Sequence, residues 1–303
     1  MDTERATRAD LLDPAIIAAL GRIEVIARWV VDGFLTGLHR SPRRGFSVEF
    51  AEHRPYQPGD ELRYVDWKIA ARADKWVVKQ YEEETNLRAT LVLDVSRSMA
   101  WRGDASRLTK LAYAERLTAA LALLFLRQRD AVGLIRFDES VRTSLPPRVR
   151  SGHWQRIVAA LGDPGAGRAS HAPAALEQAG RLIPRRGMVV LISDLLMDPE
   201  DVLRRVRALR VAGHHVAVLH ILDPAERELA VTSDAVFVDP ETEVAVPATV
   251  ADVRTAYRAT VEEALREWRS SLAAAGAVYE TITTDAPFGV PLRRAFAVRQ
   301  RLP

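Results

Sequence analysis

From residue 87 onward, short apolar runs alternate with longer amphipathic stretches. Residues 89–94 (Ala-Thr-Leu-Val-Leu-Asp) are apolar at nearly every position, the pattern of a strand buried on both faces. A helix is predicted over about 106–129, apolar all round at 117–126. Strands follow at 131–137 and 141–145, paired across the turn Asp138-Glu139-Ser140. Shorter helical patterns lie at 153–161 and 173–182, and the next apolar run, 188–192, ends in Ser193-Asp194. Asp198-Pro199 opens a helix to residue 212, with the cap residue followed by proline at the first helical position. A strand at 215–222, a hairpin within 236–246, a long helix at 251–275 and a last strand at 278–283 complete the series. Strands and helices in alternation imply an α/β fold: a Rossmann-like, mostly parallel central sheet with helices on both faces.

The first 87 residues are patterned differently. A helix over 15–38 keeps Ile16, Leu20, Ile23, Ile26, Ala27 and Val30 to one broad face. A basic, turn-rich linker covers 39–45, and 45–84 mixes charge with Phe46, Phe50, Tyr56, Tyr64, Trp67, Trp76 and Tyr81 around the turn Gln57-Pro58-Gly59-Asp60. These aromatics are expected to pack a small β-rich annex against a larger domain, the alternative being a ligand-binding surface. If Trp67 is buried in that way, Trp67→Ala costs about 3–5 kcal/mol. The organisation expected is an N-terminal helix and annex at 1–87, an α/β domain at 88–285 with a hairpin insertion at about 235–247, and a helical tail at 286–303.

Composition narrows the chemistry. The chain has 303 residues, enough for one large or two modest domains, and no cysteine. Disulfides, thiolate metal sites, iron–sulfur clusters and cysteine nucleophiles are thereby excluded, which suits a reducing compartment. Acids are mixed among the bases of the first residues, without the apolar core of a signal peptide, and 117–126 is too short to span a bilayer. A cytoplasmic protein is expected. The formal net charge is only +3. Arg40, Arg43 and Arg44, then Arg204, Arg205, Arg207 and Arg210, then Arg293, Arg294, Arg299 and Arg301 are read as solvated faces rather than a nucleic-acid surface.

In an open α/β sheet, ligands bind beyond the carboxyl ends of the strands, near the point where strand order reverses. Asp94-Val-Ser96-Arg-Ser98 and Ser193-Asp194 both follow apolar strands, bringing two carboxylates and several hydroxyls to one edge. Such hard oxygen donors suit Mg²⁺, Mn²⁺ or Ca²⁺. The alternative is that Asp94 and Ser96 merely cap the helix that follows.

The Asp94–Ser96–Ser98 pattern resembles the metal-ion-dependent adhesion site of von Willebrand factor A domains. In those domains a DxSxS loop is joined by a distant threonine and a distant aspartate. The resemblance puts Ser170, within Gly167-Arg-Ala-Ser170-His-Ala-Pro-Ala-Ala175-Leu176, in the threonine's place, and Asp194 in that of the last acid. It implies that Asp94, Ser96, Ser98, Ser170 and Asp194 surround a divalent ion, leaving a position open for a partner's carboxylate.

A narrower resemblance covers nearly the whole chain. Gly45-Phe-Ser-Val-Glu-Phe50, His53-Arg54-Pro-Tyr56-Gln-Pro-Gly59-Asp60, Arg63-Tyr-Val-Asp66-Trp67, Tyr81-Glu-Glu-Glu-Thr-Asn86 and Thr284-Asp285-Ala-Pro287 are similar to domain-of-unknown-function family 58. This implies a soluble accessory of a MoxR-type AAA+ ATPase, acting in chaperone-like assembly or maturation of a target protein. A non-enzymatic interaction module is therefore expected. Asp94 at a strand end also resembles the nucleophile of haloacid-dehalogenase-like phosphatases, but position 96 is serine where that chemistry wants a second acid. Neither a GxSxG elbow nor a Walker A loop is present.

Overall fold

The computed structural model describes residues 23–38, 50–57, 65, 67–73, 75–81, 87–163, 172–183, 186–229, 235–238, 245–289 and 292. The chain divides into two compact units, Arg40–Asn86 and the remainder. Helix α1 (Ile23–Leu38) belongs to the larger unit and not with residues 40–86, because Ile26, Ala27, Val30 and Val31 are buried in that unit's core. The part of the predicted helix before Ile23 lies outside the described residues.

In the smaller unit β1 (Phe50–Pro55) pairs antiparallel with β2 (Val77–Tyr81), and α2 (Trp67–Ala73) lies between them in sequence. Val65 and Val78 are buried and bridge to one another. The tryptophans are not buried: Trp67 is 54% exposed and Trp76 49%. They meet edge-on at 5.8 Å between ring centroids, and Tyr56 stands 5.9 Å from Trp76 on its other contact. For Trp67 the burial that the sequence suggested is not found, whereas Phe46, Phe50, Tyr64 and Tyr81 have side chains outside the described residues. A two-stranded ribbon with one short helix has too little interior to enclose such rings.

The larger unit runs from β3 (Arg88–Asp94) through a 3₁₀ turn (Arg97–Ala100) into α3 (Lys110–Arg127). Helix α3 starts at Lys110 and not near Ser106 because Thr109 caps it, its side chain accepting from Ala112 N at 3.0 Å. Ser106 instead donates to Asp104 in the preceding loop. Next come β4 (Ala131–Phe137), β5 (Val141–Arg148), α4 (His153–Leu161), α5 (Ala172–Leu182), β6 (Met188–Ser193) and α6 (Pro199–Val211). After α6 come β7 (His215–Leu222), a short α7 (Pro224–Glu228), a hairpin of β8 (Ala235–Val238) and β9 (Ala245–Ala248), α8 (Val250–Ala274) and β10 (Val278–Thr283), and most of the helical tail expected at 286–303 lies outside the described residues.

Six strands form the central sheet in the order β10-β7-β6-β3-β4-β5, all parallel except β5. Pro146 and Pro147 sit on that antiparallel edge strand, where a missing N–H costs no ladder bond. Alternate residues of the inner strands feed two cores. Leu91, Leu93, Leu134, Val190 and Leu219 pack with α1, α3 and α4, whereas Val92, Ile135, Leu191 and Val218 pack with α5, α6 and α8. Arg136 is buried on β4, and its guanidinium donates to the Ala160 and Asp163 carbonyls at the end of α4. Strand order reverses between β3 and β6, so the crevice of this doubly wound sheet opens at their carboxyl ends. Among the described residues, no helix is long and apolar enough to cross a membrane.

Candidate functional site

Strands β3 and β6 are neighbours, with Leu93 opposite Ile192, so Asp94 and Ser193 finish side by side. Ser193 Oγ donates to Asp94 Oδ2 at 2.6 Å, and Ser96 N donates to Asp94 Oδ1 at 2.9 Å. Ser96 and Ser98 share a hydrogen bond between their hydroxyls at 3.1 Å. Ser96 occupies the cap position of the 3₁₀ turn, yet its side chain makes no capping bond there. The capping alternative therefore does not account for this hydroxyl. Asp94, Ser96, Ser98 and Asp194 are all buried. Ser170 lies outside the described residues.

Burial, and next the negative charge of Asp194, push the Asp94 carboxyl up to about 7; the bonds from Ser193 and Ser96 pull it the other way. Asp194 has a different partner. Lys110, at the first position of α3, places Nζ 2.8 Å from Asp194 Oδ2 and 2.5 Å from Glu226 Oε1. Only 1% of the Lys110 side chain is exposed. Burial works against its ammonium, but Asp194 and Glu226 outweigh it and raise the lysine above its ordinary range. Glu226 is held in turn by the capping box of α7: its Oε2 accepts from Asp223 N at 2.9 Å while Asp223 Oδ1 accepts from Ala225 N at 2.8 Å. Asp223 Oδ2 accepts from Thr284 Oγ1 at 3.3 Å beyond the end of β10. The Trp101 ring stands 5.9 Å from Lys110 Nζ, and Trp101 and Leu196 are exposed at the rim.

Asp94, Ser96, Ser98 and Asp194, expected from the sequence to lie at one sheet edge, do so, and Lys110 and Glu226, which were not expected, stand beside them. Lys110 left no signal of its own, because a helix read from about residue 106 puts it past the first turn. Glu226 did leave one. Asp223-Pro224-Ala225-Glu226 spells a capping box directly after an apolar strand.

One half of this site gathers hard oxygen donors. Asp94, Ser96 and Ser98 offer one carboxylate and two hydroxyls from a single turn, the donor chemistry Mg²⁺, Mn²⁺ or Ca²⁺ accepts. On the other half Asp194 already holds an ammonium. Among the described residues, no three His, Asp or Glu side chains converge as a ligand set.

The strand order, the single antiparallel edge and the buried DxSxS turn at the switch point define a von Willebrand factor A-like domain. The chain belongs to the family described as "Protein of unknown function DUF58", which it matches over residues 52–269. An uncharacterized protein of Mycobacterium tuberculosis is 31% identical over 307 residues, covering 97% of this chain and 93% of that one. Among solved structures, the conserved hypothetical protein BatB from Bacteroides thetaiotaomicron superposes with a TM-score of 0.45 at 15% identity, over 71% of this chain and 99% of that one. The SpRpn10 VWA domain gives 0.43 at 12% identity, over 72% and 99%.

Proposed function

We propose that the chain is a non-enzymatic protein-interaction module whose carboxyl-edge cleft engages a partner through a divalent ion. The observation that carries the reading is the buried Asp94–Ser96–Ser98 turn, with Ser96 Oγ 3.1 Å from Ser98 Oγ and uncommitted to a helix cap. Asp94, Ser96 and Ser98 would hold the ion, with Ser170 as a further hydroxyl donor. The ion would supply a Lewis-acidic position for a carboxylate from outside. Trp101 and Leu196 offer apolar contact at the rim of the same cleft.

The interaction reading is supported over catalysis by where the hydroxyls are directed. Ser96 and Ser98 bond to one another, and Ser193 donates to Asp94, so the polar groups brace the turn. It is supported over nucleic-acid binding by the pairing of two helical arginines: Arg204 with Asp201 at 3.1 Å and Arg205 with Glu177 at 2.5 Å. From the family resemblance we take the partner to be a MoxR-type AAA+ ATPase acting with this chain on a target protein.

The test is a binding titration of wild type and Asp94→Ala against that ATPase, in Mg²⁺ and in chelator. Binding by wild type in Mg²⁺ alone is the expected result. Equal affinity in all four conditions would remove the ion and its site from the interaction.

A further inference from the structure

The buried ammonium of Lys110 has no counterpart in the site that the sequence implied. Both oxygens of Asp194 are engaged: Oδ2 by Lys110 Nζ at 2.8 Å, and Oδ1 by Leu196 N at 3.3 Å. The lysine is also drawn toward Glu226 from the opposite element, α7. Burying an ammonium is costly unless carboxylates surround it, and here two of them share one. Asp194 directly follows Ser193, whose hydroxyl donates to Asp94 Oδ2 at 2.6 Å where β3 and β6 end together, so a divalent ion on the Asp94 turn would lie beside the same Asp194 carboxylate. Two cations, one tethered and one from solution, thus contend for one carboxylate.

We propose that Lys110 is a built-in counter-cation that competes with the divalent ion for Asp194, so that ion binding at the Asp94 turn releases the lysine. This rests on the divalent-site reading above. The loop through which the lysine leaves carries Trp101, 40% exposed, whose ring faces Nζ at 5.9 Å. Its other wall is tight: a Cβ on Gly103 would stand 2.3 Å from Ala225 Cβ and 2.9 Å from Asp223 Oδ1. Release of Lys110 from Glu226 therefore reaches both the rim residue Trp101 and the start of α7. Ion occupancy and the shape of the partner-facing surface become linked events.

The experiment uses the full chain and Mn²⁺ alone as the probe. Calorimetric titrations compare wild type, Lys110→Met, which removes the charge, and Lys110→Arg, which keeps it. Competition predicts Mn²⁺ binding tighter by about tenfold or more in Lys110→Met, with Lys110→Arg close to wild type. Measurable binding of equal strength in wild type and Lys110→Met would overturn the competition and leave the ion site standing. No Mn²⁺ binding by any of the three would overturn both. A second measurement needs no variant: reductive methylation of wild type, with Lys110 followed by peptide mass spectrometry. The lysine should resist labelling in chelator and label in saturating Mn²⁺, and resistance in both would overturn the release.

Discussion

Ser193 and Asp94, 99 residues apart in the chain, are joined by a 2.6 Å hydrogen bond in which the serine hydroxyl donates to Oδ2. The bond exists because parallel strands β3 and β6 end level with one another at the reversal of strand order. It holds a fully buried carboxylate beside a second one, and that proximity has a measurable cost.

Asp94→Asn is expected to stabilise the ion-free protein near neutral and alkaline pH. Because the Asp94 carboxyl rises from 3.8 to about 7 on folding, its favourable contribution is complete below the unfolded value and lost as pH climbs through about 7. The amide variant has no charge to bury. The shift sets a ceiling of about 4 kcal/mol at high pH, approached only if the amide keeps the bonds from Ser96 and Ser193. Melting curves in chelator across the acid-to-alkaline range should show the variant ahead at alkaline pH and level with wild type near pH 4. A variant that melts lower than wild type at alkaline pH would show that the carboxylate's bonds outweigh its burial.

His220 titrates with the opposite sign. It is buried on β7, with Nδ1 2.7 Å from the Tyr279 hydroxyl, and burial pushes it down to about 4 against the upward pull of Asp194. A depressed folded value means stability present above the unfolded value of 6.5 and lost as pH falls through about 4. The ceiling is about 3 kcal/mol. Urea denaturation at several pH values should show a smaller acid loss in His220→Gln than in wild type. Asp94 acts in the opposite direction over part of this window, but it is present in both proteins and drops out of the difference. Parallel curves would remove His220 from the acid response.

Trp67→Ala is expected to change stability by less than about 1 kcal/mol, because the ring is 54% exposed and, among the described residues, its aromatic contact is an edge-on meeting with Trp76. The same substitution at a buried tryptophan would cost about 3–5 kcal/mol. Thermal melting decides between them, and a loss in the larger range would mean that the ring is enclosed in solution.

The order of strands and helices after residue 87 was legible in the sequence because each apolar run is short, bounded by turn chemistry and different in period from its neighbours. The Asp94 turn was legible for a related reason: a DxSxS pattern straight after a doubly buried strand puts its oxygens at a sheet edge whatever the remaining topology. Periodicity along one helix could not say where α1 packs, since its apolar face specifies burial but not a partner, and only the assembled unit places Ile26 and Val30 in the large core. Nor could aromatic content say whether Trp67 is inside, because enclosure depends on how much structure surrounds a ring. The pairing of Lys110 with Asp194 and Glu226 spans 84 and 116 residues and three separate elements. It arises only where the N-terminus of α3, the end of β6 and the cap of α7 meet at one sheet edge. The sequence therefore determined which residues carry oxygen donors to that edge, and the tertiary structure alone decided that a lysine stands among them.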